Sequence, residues 1–252
     1  MITNENYFSL ENQLKYMGTS QFKSFEKCEA AALAEIKGEY QREYTSALLV
    51  GSYVDSHFEG TLDIFQAQHP EIFTKQGALK SEYRRAEYII ERISRDDLFM
   101  KYMAGEKQVI KTGFIDGVPF KIKIDSYHQG KCIVDLKVMR DFEPIYVPEQ
   151  GRLNFIEAWG YDYQAAIYQA IEGNNLPFYI AACTKQKEPD LAVIQIPQSH
   201  IDMCLELIKS KIQHYQSIKQ GRTEPTRCEK CDYCRSTKVL NKIITLEDLN
   251  YE

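Results

Sequence analysis

Apolar residues recur at helical spacing in several segments of the chain. The first predicted helix begins at Thr19 or Ser20, either of which can cap it, and ends near Lys37. Phe22 and Phe25 fall on one of its faces. Four further helices are predicted: Tyr44–Leu62, Ser81–Ser94, Leu153–Glu172 and Gln198–Lys219. Gly51 lies inside the second of these and predicts a packing or functional constraint there, since glycine destabilises a helix interior.

Short apolar or alternating runs replace the helical period in the middle of the chain. They predict three consecutive antiparallel strands: Gln108–Ile115, Val118–Asp125 and Lys131–Leu136. Asp116-Gly117 joins the first two and is a strong hairpin signal. Two more strands, Phe178–Thr184 and Leu191–Ile196, follow after a loop over residues 140–151 that contains Pro144 and Pro148.

This order of elements predicts a mixed α/β fold. The chain has 252 residues with 44% hydrophobic residues, enough for a sizeable core. No internal repeat or flexible linker interrupts it. We therefore predict one domain over residues 1–252, with the N-terminal helix and a C-terminal cysteine cluster (228–234) as accessory elements.

Composition narrows the function classes only slightly. No apolar stretch approaches the ~18 residues needed to span a bilayer, and the polar N-terminus has no signal-peptide pattern. These features predict a cytoplasmic protein without a membrane contact. The net charge of −5 is mild evidence against a nucleic-acid partner, which local basic patches can still bind.

The strongest candidate for chemistry is a pair of carboxylates with a nearby lysine. Asp135 and Lys137 are two apart on a predicted strand and share a face, and pairing with the preceding strand brings Asp125 close to Asp135. Two adjacent carboxylates repel unless a divalent cation lies between them. Mg²⁺ prefers such oxygen ligands, and a water that it makes more acidic can attack a phosphodiester. Charges at strand ends are usually just solvated, so this pattern alone is weak.

Two helical spacings add polar groups to this candidate site. Gly51 and Asp55 share a helix face, where Asp55 offers another oxygen ligand; a plain polar helix face is the alternative. Gln164 and Tyr168 share a face of a later helix, and both can hydrogen-bond a phosphate or a metal-bound water. Tyr168 alone is equally typical of a packed core tyrosine.

Seven cysteines divide into two groups. Apolar surroundings predict that three of them are small core residues, namely Cys132, Cys183 and Cys204. The tight triplet of Cys228, Cys231 and Cys234 indicates a metal site, with Cys28 as the candidate fourth ligand. Four thiolates hold either a [4Fe–4S] cluster or a structural Zn²⁺, and either would tie the C-terminal tail to the first helix.

The order of these features resembles the PD-(D/E)xK nuclease superfamily, in its RecB/RecE-like exonuclease branch, over nearly the whole chain. Asp125 and Asp135-Leu-Lys137 match the core motif, and Gln164-x3-Tyr168 matches the QxxxY motif. The resemblance implies a restriction-endonuclease-like core, with a central mixed β-sheet flanked by helices. It also implies a deoxyribonuclease that depends on Mg²⁺ or Mn²⁺.

The remaining motifs match with departures. Gly51-x3-Asp55 is similar to the GxxxH motif but has a carboxylate in place of the imidazole; His57 would face elsewhere on a regular helix. The segment ending at Cys28 resembles the opening helix of AddB-type and CRISPR-associated exonucleases, which carries the first cysteine of an iron–sulfur staple. The triplet at 228–234 is more tightly spaced than in those proteins, which leaves iron–sulfur, zinc and an empty site open.

The resemblance also implies roles and partners. Phage-type exonucleases akin to exonuclease VIII resect duplex DNA for a single-strand annealing recombinase. The resemblance to these enzymes therefore implies linear double-stranded DNA as substrate and 5′-phosphate products. It also implies a role in phage recombination or DNA repair, and a homo-oligomer. The implied residues are Asp55, Asp125, Asp135 and the Leu136 carbonyl as metal ligands, Lys137 as the catalytic lysine, and Gln164 and Tyr168 to position the phosphate and the lysine.

Two rival functions use the same residues differently. A non-catalytic DNA-binding or scaffold module on a nuclease fold, held by a metal site, would explain Asp55 and the acidic charge. A zinc-ribbon-like interaction protein would explain the cysteines, but residues 235–252 contain no Cys or His to complete a second pair of ligands.

Overall fold

Among the described residues, helices come first and last along the chain, and the strands lie between them, with two helices inserted. The computed structural model describes residues 2–42 and 46–246. Its helices are α1 Leu10–Lys15, α2 Thr19–Lys27, α3 Glu29–Lys37, α4 Ser46–Glu59, α5 Leu62–Gln68, α6 Ser81–Ser94, α7 Asp97–Met103, α8 Phe155–Ala158, α9 Tyr161–Glu172, α10 Gln198–Lys219 and α11 Asp232–Ser236. Its strands are β1 Val109–Ile115, β2 Val118–Ile124, β3 Ser126–His128, β4 Cys132–Met139, β5 Ile145–Val147, β6 Gly151–Leu153, β7 Phe178–Thr184 and β8 Leu191–Gln195.

The central sheet has the strand order β3-β4-β7-β8 and is mixed. β4 and β7 run parallel, whereas β3 and β8 pair with their neighbours in the antiparallel sense. β1–β2 and β5–β6 form separate two-stranded sheets. Two apolar cores lie on the two sides of the central sheet, one with α9 and α10 and the other with α4, α6 and α7. The predicted α/β class, with a mixed sheet flanked by helices, is confirmed.

Strand β4 is buried on both faces because each face packs on a helical layer. Ile133 and Met139 join the core with α9 and α10, while Val134 and Leu136 join the core with α4 and α6. Such a strand is typically apolar throughout. Asp135 and Lys137 interrupt this pattern on the α9 side.

Two predicted helices are each interrupted by a short break. The first is broken at Cys28, whose extended backbone (φ −168°, ψ 112°) separates α2 from α3. The helix predicted over Leu153–Glu172 is broken at Gly160, whose φ of +62° separates α8 from α9. Because apolar residues keep helical spacing on both sides, the sequence pattern does not show either break. Neither Thr19 nor Ser20 caps α2: its N-cap is Gly18, without a side-chain hydrogen bond.

Other predicted bounds are partly right. α6, α10 and β7 match their predicted ranges. The helix predicted over Tyr44–Leu62 ends at Glu59, since α5 begins at Leu62, and Tyr44 lies outside the described residues. The three predicted antiparallel strands are two hairpins, because the chain leaves one sheet and enters the next at Asp125.

The predicted loop over 140–151 contains the short β5–β6 hairpin. No helix in the described part of the chain has both the length and the apolar character to cross a membrane.

Gly105 fits tightly against the start of β3, directly after Asp125. A Cβ added there would lie 2.7 Å from Ser126 Oγ and 2.8 Å from the Tyr127 backbone. We expect Gly105→Ala to lower the free energy of unfolding by about 1–3 kcal/mol, measured by urea denaturation. Gly51→Ala is the control, because nothing lies within 4 Å of its added Cβ, and should leave stability unchanged or raised. Equal stability of the two variants would contradict this account.

Candidate active site

The register of the β3–β4 hairpin sets Asp125 opposite Asp135. Ser126 pairs with Val134, so one more step along each strand places the two aspartates across from each other. The two aspartates do not form a backbone pair, because Asp125 lies between the end of β2 and the start of β3. In its place, the Leu136 backbone N–H donates to Asp125 Oδ2 at 2.9 Å.

Asp135 lies at the centre of a polar group on the α9 side of β4, with only 2% of its surface exposed. Its Oδ1 accepts a hydrogen bond from Gln164 Nε2, and its Oδ2 forms an ion pair with Lys137 Nζ. Gln164 reaches it because α9 packs on this face of the sheet. The structure therefore brings Asp125, Asp135, Lys137 and Gln164 together.

Asp55 approaches Asp125, at the edge of the central sheet, from the other side of the sheet, where α4 packs. With Glu59 one helical turn later, it lines a cavity of about 10 Å³ against Asp125 and Leu136. That volume holds about one water-sized sphere. The Leu136 carbonyl also points to this edge, because the N–H and C=O of one strand residue lie on the same side and its N–H bonds to Asp125. His57, on the same helix, is exposed.

The carboxylates destabilise one another's charges. Burial raises the pKa of Asp55 to about 7; Lys137 lowers it, while Glu59 and Asp135 raise it further. Burial and the neighbouring Asp135 raise the pKa of Asp125 well above its usual range. Burial acts to lower the pKa of Lys137, but Asp135 and Asp125 more than offset this and hold it above its usual value. Lys137 is therefore an ammonium at neutral pH.

Residues that could hold a divalent cation are present at this edge. Among the described residues, Asp55 Oδ1 is buried and accepts no hydrogen bond, which is unfavourable unless a cation or a proton supplies the missing contact. The donor set is composed of hard oxygens, as Mg²⁺ and Mn²⁺ prefer. In the described structure, the oxygens of Asp55, Asp125 and Asp135 do not all lie within 4.8 Å of one another. The chemistry of the donor set fits a divalent ion, and the three carboxylates must move closer together to share one.

Tyr168 is placed differently from Gln164. Its hydroxyl donates to the Lys123 carbonyl at 2.8 Å, two residues before Asp125. It also lines a cavity of about 210 Å³ beside Asp125, with Tyr7, Thr19 and Lys123. This position fixes the end of β2 and leaves one side of the ring at the cavity wall.

Two functional candidates are absent from the sequence-based set. Lys23 lies beside Lys137, with the Tyr161 ring near both ammonium groups, at 5.1 Å and 5.0 Å from the ring centre. Burial and the charge of Lys137 lower the pKa of Lys23 to about 8. Glu59 is the second, and its spacing of four from Asp55 is a signal that the sequence contains. No sequence signal marks Lys23, which occupies an ordinary polar position of α2.

The four predicted cysteines converge between α2 and the C-terminal segment. Cys28, Cys228, Cys231 and Cys234 place their Sγ atoms within 4.8 Å of one another. Burial acts to raise the pKa of Cys228, but backbone N–H groups that bond its sulfur lower it to about 6. The other three cysteines are free as well: Cys183 and Cys204 are buried, as predicted, and Cys132 is half-buried.

Asp162, His200 and Cys204 form another group whose potential ligand atoms lie within 4.8 Å. His200 Nε2 is 3.1 Å from Asp162 Oδ2, which satisfies both polar groups. Burial and the Asp162 carboxylate raise the pKa of Cys204 to about 12, so its sulfur is a thiol. This group is explained by a hydrogen-bonded histidine–carboxylate pair beside a buried cysteine.

Comparisons with known proteins show the family to which the chain belongs. A family model described as "PDDEXK-like domain of unknown function (DUF3799)" matches residues 18–237. The chain belongs to this PDDEXK-like family. A solved structure from Eubacterium rectale, described as a "putative exonuclease", matches it with a TM-score of 0.95 and 45% identity, over 99% of this chain and 98% of that one. No curated protein sequence matches. The PDDEXK-like assignment supports a nuclease, as does that structural neighbour.

Proposed function

We propose that this PDDEXK-like chain is a Mg²⁺- or Mn²⁺-dependent exonuclease that degrades linear double-stranded DNA. The observation that carries the proposal is the group formed by the buried Asp135 and the half-buried Asp125 and Lys137, with the unpartnered Asp55 Oδ1 beside it. Burying several carboxylates next to one another is unfavourable, so such an arrangement favours a role that needs their charge. The description of the neighbour from Eubacterium rectale supports the exonuclease class.

A divalent ion would be held by Asp55, Asp125, Asp135 and the Leu136 carbonyl. When bound, it would make a water acidic enough to attack a phosphodiester and would neutralise charge on the phosphate. Glu59 lies next to Asp55 and Asp125, and its Oε1 already accepts a hydrogen bond from Gln108 Nε2 at 2.6 Å.

The protein's own cations would stabilise the negative charge that develops on the phosphate. Lys137 remains protonated because Asp135 and Asp125 raise its pKa, which favours a role as a fixed positive charge over a role as a base. Lys23 adds a second ammonium beside Lys137, and both lie about 5 Å from the centre of the Tyr161 ring. These local cations offset the net charge of −5 at the place where a phosphate would bind.

Gln164 and Tyr168 act as positioning residues in this proposal. Gln164 holds Asp135 Oδ1 and so directs Oδ2 towards Lys137. Tyr168 holds the Lys123 carbonyl and so fixes the turn that presents Asp125. This differs from the role implied by the family resemblance, since neither side chain needs to contact DNA to support the site.

The biological setting that we propose follows the resemblance to phage-type exonucleases. Resection of a duplex end would supply single strands to an annealing recombinase. Support for this partner is the family resemblance alone, whereas support for hydrolysis comes from the site.

The test compares linear, covalently closed circular and single-stranded DNA, each with Mg²⁺, Mn²⁺ or a chelator. We expect linear duplex to be degraded, circular duplex to be spared and the chelator to abolish activity. Lys137→Gln should lower the rate at least about 10²-fold, because it removes a charge aimed at the phosphate. Lys101→Gln, at an exposed position on α7, is the matched control and should retain full activity.

Other outcomes would contradict specific parts of the proposal. Equal inactivity of wild type and Lys137→Gln with every metal, together with DNA binding, would replace catalysis with a scaffold role. Cutting of circular duplex at the rate of linear duplex would replace the exonuclease with an endonuclease.

A further inference from the structure

The four-cysteine group joins two regions that are far apart in the sequence. Cys28 lies at the break between α2 and α3, and its Sγ is 3.6 Å from Cys234 Sγ, 206 residues further along. Cys228 and Cys231 are half-buried, whereas Cys28 and Cys234 are buried against Ala30 and Ala31. The tail is also fixed by its backbone, since the Ala30 N–H donates to the Thr226 carbonyl at 3.0 Å.

The separations between the sulfurs match one particular kind of metal site. Cys28 Sγ and Cys234 Sγ are 3.6 Å apart, Cys228 Sγ and Cys234 Sγ are 3.9 Å apart, and all four lie within 4.8 Å. In a zinc tetrathiolate the Zn–S bond is about 2.3 Å, so the edge of the sulfur tetrahedron is about 3.8 Å. The observed separations therefore bracket the edge of a tetrahedron with a single ion at its centre.

The same separations do not fit a [4Fe–4S] cluster. Each thiolate in such a cluster binds a different iron from the outside, so the sulfurs are kept apart by the whole width of the iron–sulfide core. Four sulfurs within 4.8 Å leave no room for eight further atoms between them. The iron–sulfur staple implied by the resemblance to AddB-type exonucleases therefore disagrees with the geometry of this chain.

A disulfide pair also does not fit. An S–S bond is about 2.0 Å long, much shorter than the 3.6 Å between Cys28 and Cys234. The sulfurs accept hydrogen bonds instead: the Cys231 N–H donates to Cys228 Sγ at 3.3 Å, and the Cys234 N–H donates to Cys231 Sγ at 3.4 Å. Backbone N–H groups directed at sulfur stabilise thiolates, which are the ligand form.

The surroundings suit a doubly negative metal–thiolate group. Lys27, Arg42 and Lys230 line the cavity beside Cys28 and Cys231. Arg227 Nη2 donates a hydrogen bond of 2.6 Å to the Cys234 carbonyl. Four thiolates with one divalent ion have a net charge of −2, and these cations offset part of it, since Asp232 lines the same cavity and Arg42 and Arg227 also pair with Glu35 and Glu229.

We propose that Cys28, Cys228, Cys231 and Cys234 bind one structural Zn²⁺ in place of an iron–sulfur cluster. Four protein ligands close the coordination sphere, so the ion has no open position for catalysis. It ties the C-terminal segment 226–237 to the junction of α2 and α3. Because α2 also carries Lys23, the ion helps to hold that ammonium beside Tyr161 and Lys137.

The test purifies the full chain without oxygen, from cells supplied with both iron and zinc, and measures metals and acid-labile sulfide. We expect about one zinc per chain, less than about 0.1 iron and no absorption near 400 nm. Cys231→Ser should reduce zinc below about 0.1 per chain. Cys132→Ser, which changes a half-buried cysteine outside the group, is the matched control and should keep full zinc.

A second measurement does not require a variant to fold. Removing zinc from wild type with a strong chelator should increase tryptic cleavage within residues 222–238 at least about tenfold, and adding zinc back should reverse this. Stoichiometric iron and sulfide would overturn the proposal. So would a metal-free protein that takes up no added zinc, or a Cys231→Ser variant that retains the wild-type zinc content.

Discussion

Asp135→Asn is expected to reduce DNA hydrolysis by on the order of 10³-fold or more while the protein remains folded. Asp135 is the residue through which the polar group is connected: it bonds Gln164 on one side and Lys137 on the other. Asparagine has nearly the same shape but removes the charge that a divalent ion and Lys137 both need. Its amide N–H₂ must also face either the Lys137 ammonium, which is a donor, or the Gln164 amide, whose N–H₂ donates to this position and which would have to turn over to accept.

The measurement is the initial rate of nucleotide release from linear duplex, together with DNA binding by fluorescence anisotropy and the melting temperature. We expect binding to change little and the free energy of unfolding to fall by about 1–3 kcal/mol, because donors are left facing each other. Asp63→Asn, at an exposed position on α5, should match wild type in all three. A rate within tenfold of wild type would mean that Asp135 is not at the reaction centre.

The elements that could be predicted from the sequence are those governed by local pattern. α6 buries Tyr83, Ala86, Ile89 and Ile93 at helical spacing, and its bounds match the prediction. β7 is a continuous apolar run and also matches. In each, the residues that form the element also identify the face that packs, so local and tertiary preferences agree.

The breaks within predicted helices depend on distant parts of the chain. Cys28 leaves the helical conformation while its sulfur meets Cys234 and its neighbour Ala30 bonds Thr226, and both partners lie in the tail. Nothing adjacent to Cys28 in the sequence marks the break. Gly160 is a weaker case, because a glycine inside a helical pattern is a signal, but many helices tolerate one.

The candidate site likewise contains residues whose proximity the sequence indicates and residues that only folding brings together. The proximity of Asp125 and Asp135 follows from a hairpin with a short turn, which the sequence indicates directly. Asp55 approaches from the opposite helical layer, and its helical spacing from Gly51 offered a ligand without showing where it lies relative to that pair. Lys23 was missed because its partner Tyr161 is distant in sequence and their contact exists only after folding.

Asp55→Asn is expected to stabilise the metal-free protein while it disables the metal-dependent one. Burial raises the pKa of Asp55 to about 7, from its ordinary value of 3.8. Between about pH 4 and pH 7 the folded protein therefore binds a proton that the unfolded chain has released. The free energy of unfolding of wild type then falls as the pH rises through this window, and the loss is complete above it.

Asparagine removes the buried charge and with it this part of the pH dependence. At pH 8 without metal, we expect Asp55→Asn to raise the free energy of unfolding by about 1–3 kcal/mol and the melting temperature by about 3–8 °C. A weaker fall of the free energy of unfolding with rising pH should remain, because the pKa of Asp125 is also raised and its deprotonation destabilises the fold in the same way. At pH 4 the two proteins should have nearly equal stability.

The effect of Asp55→Asn on stability should reverse when metal is added. Mn²⁺ should raise the melting temperature of wild type, because it replaces the missing partner of Asp55 Oδ1, but should raise that of Asp55→Asn much less. DNA hydrolysis by Asp55→Asn should fall at least about 10²-fold. His57→Asn, which changes an exposed residue on the same helix, controls for effects on α4 and should behave as wild type. Destabilisation of metal-free protein by Asp55→Asn at pH 8 would show that the carboxylate serves the fold, because a metal ligand without its metal is unfavourable to stability.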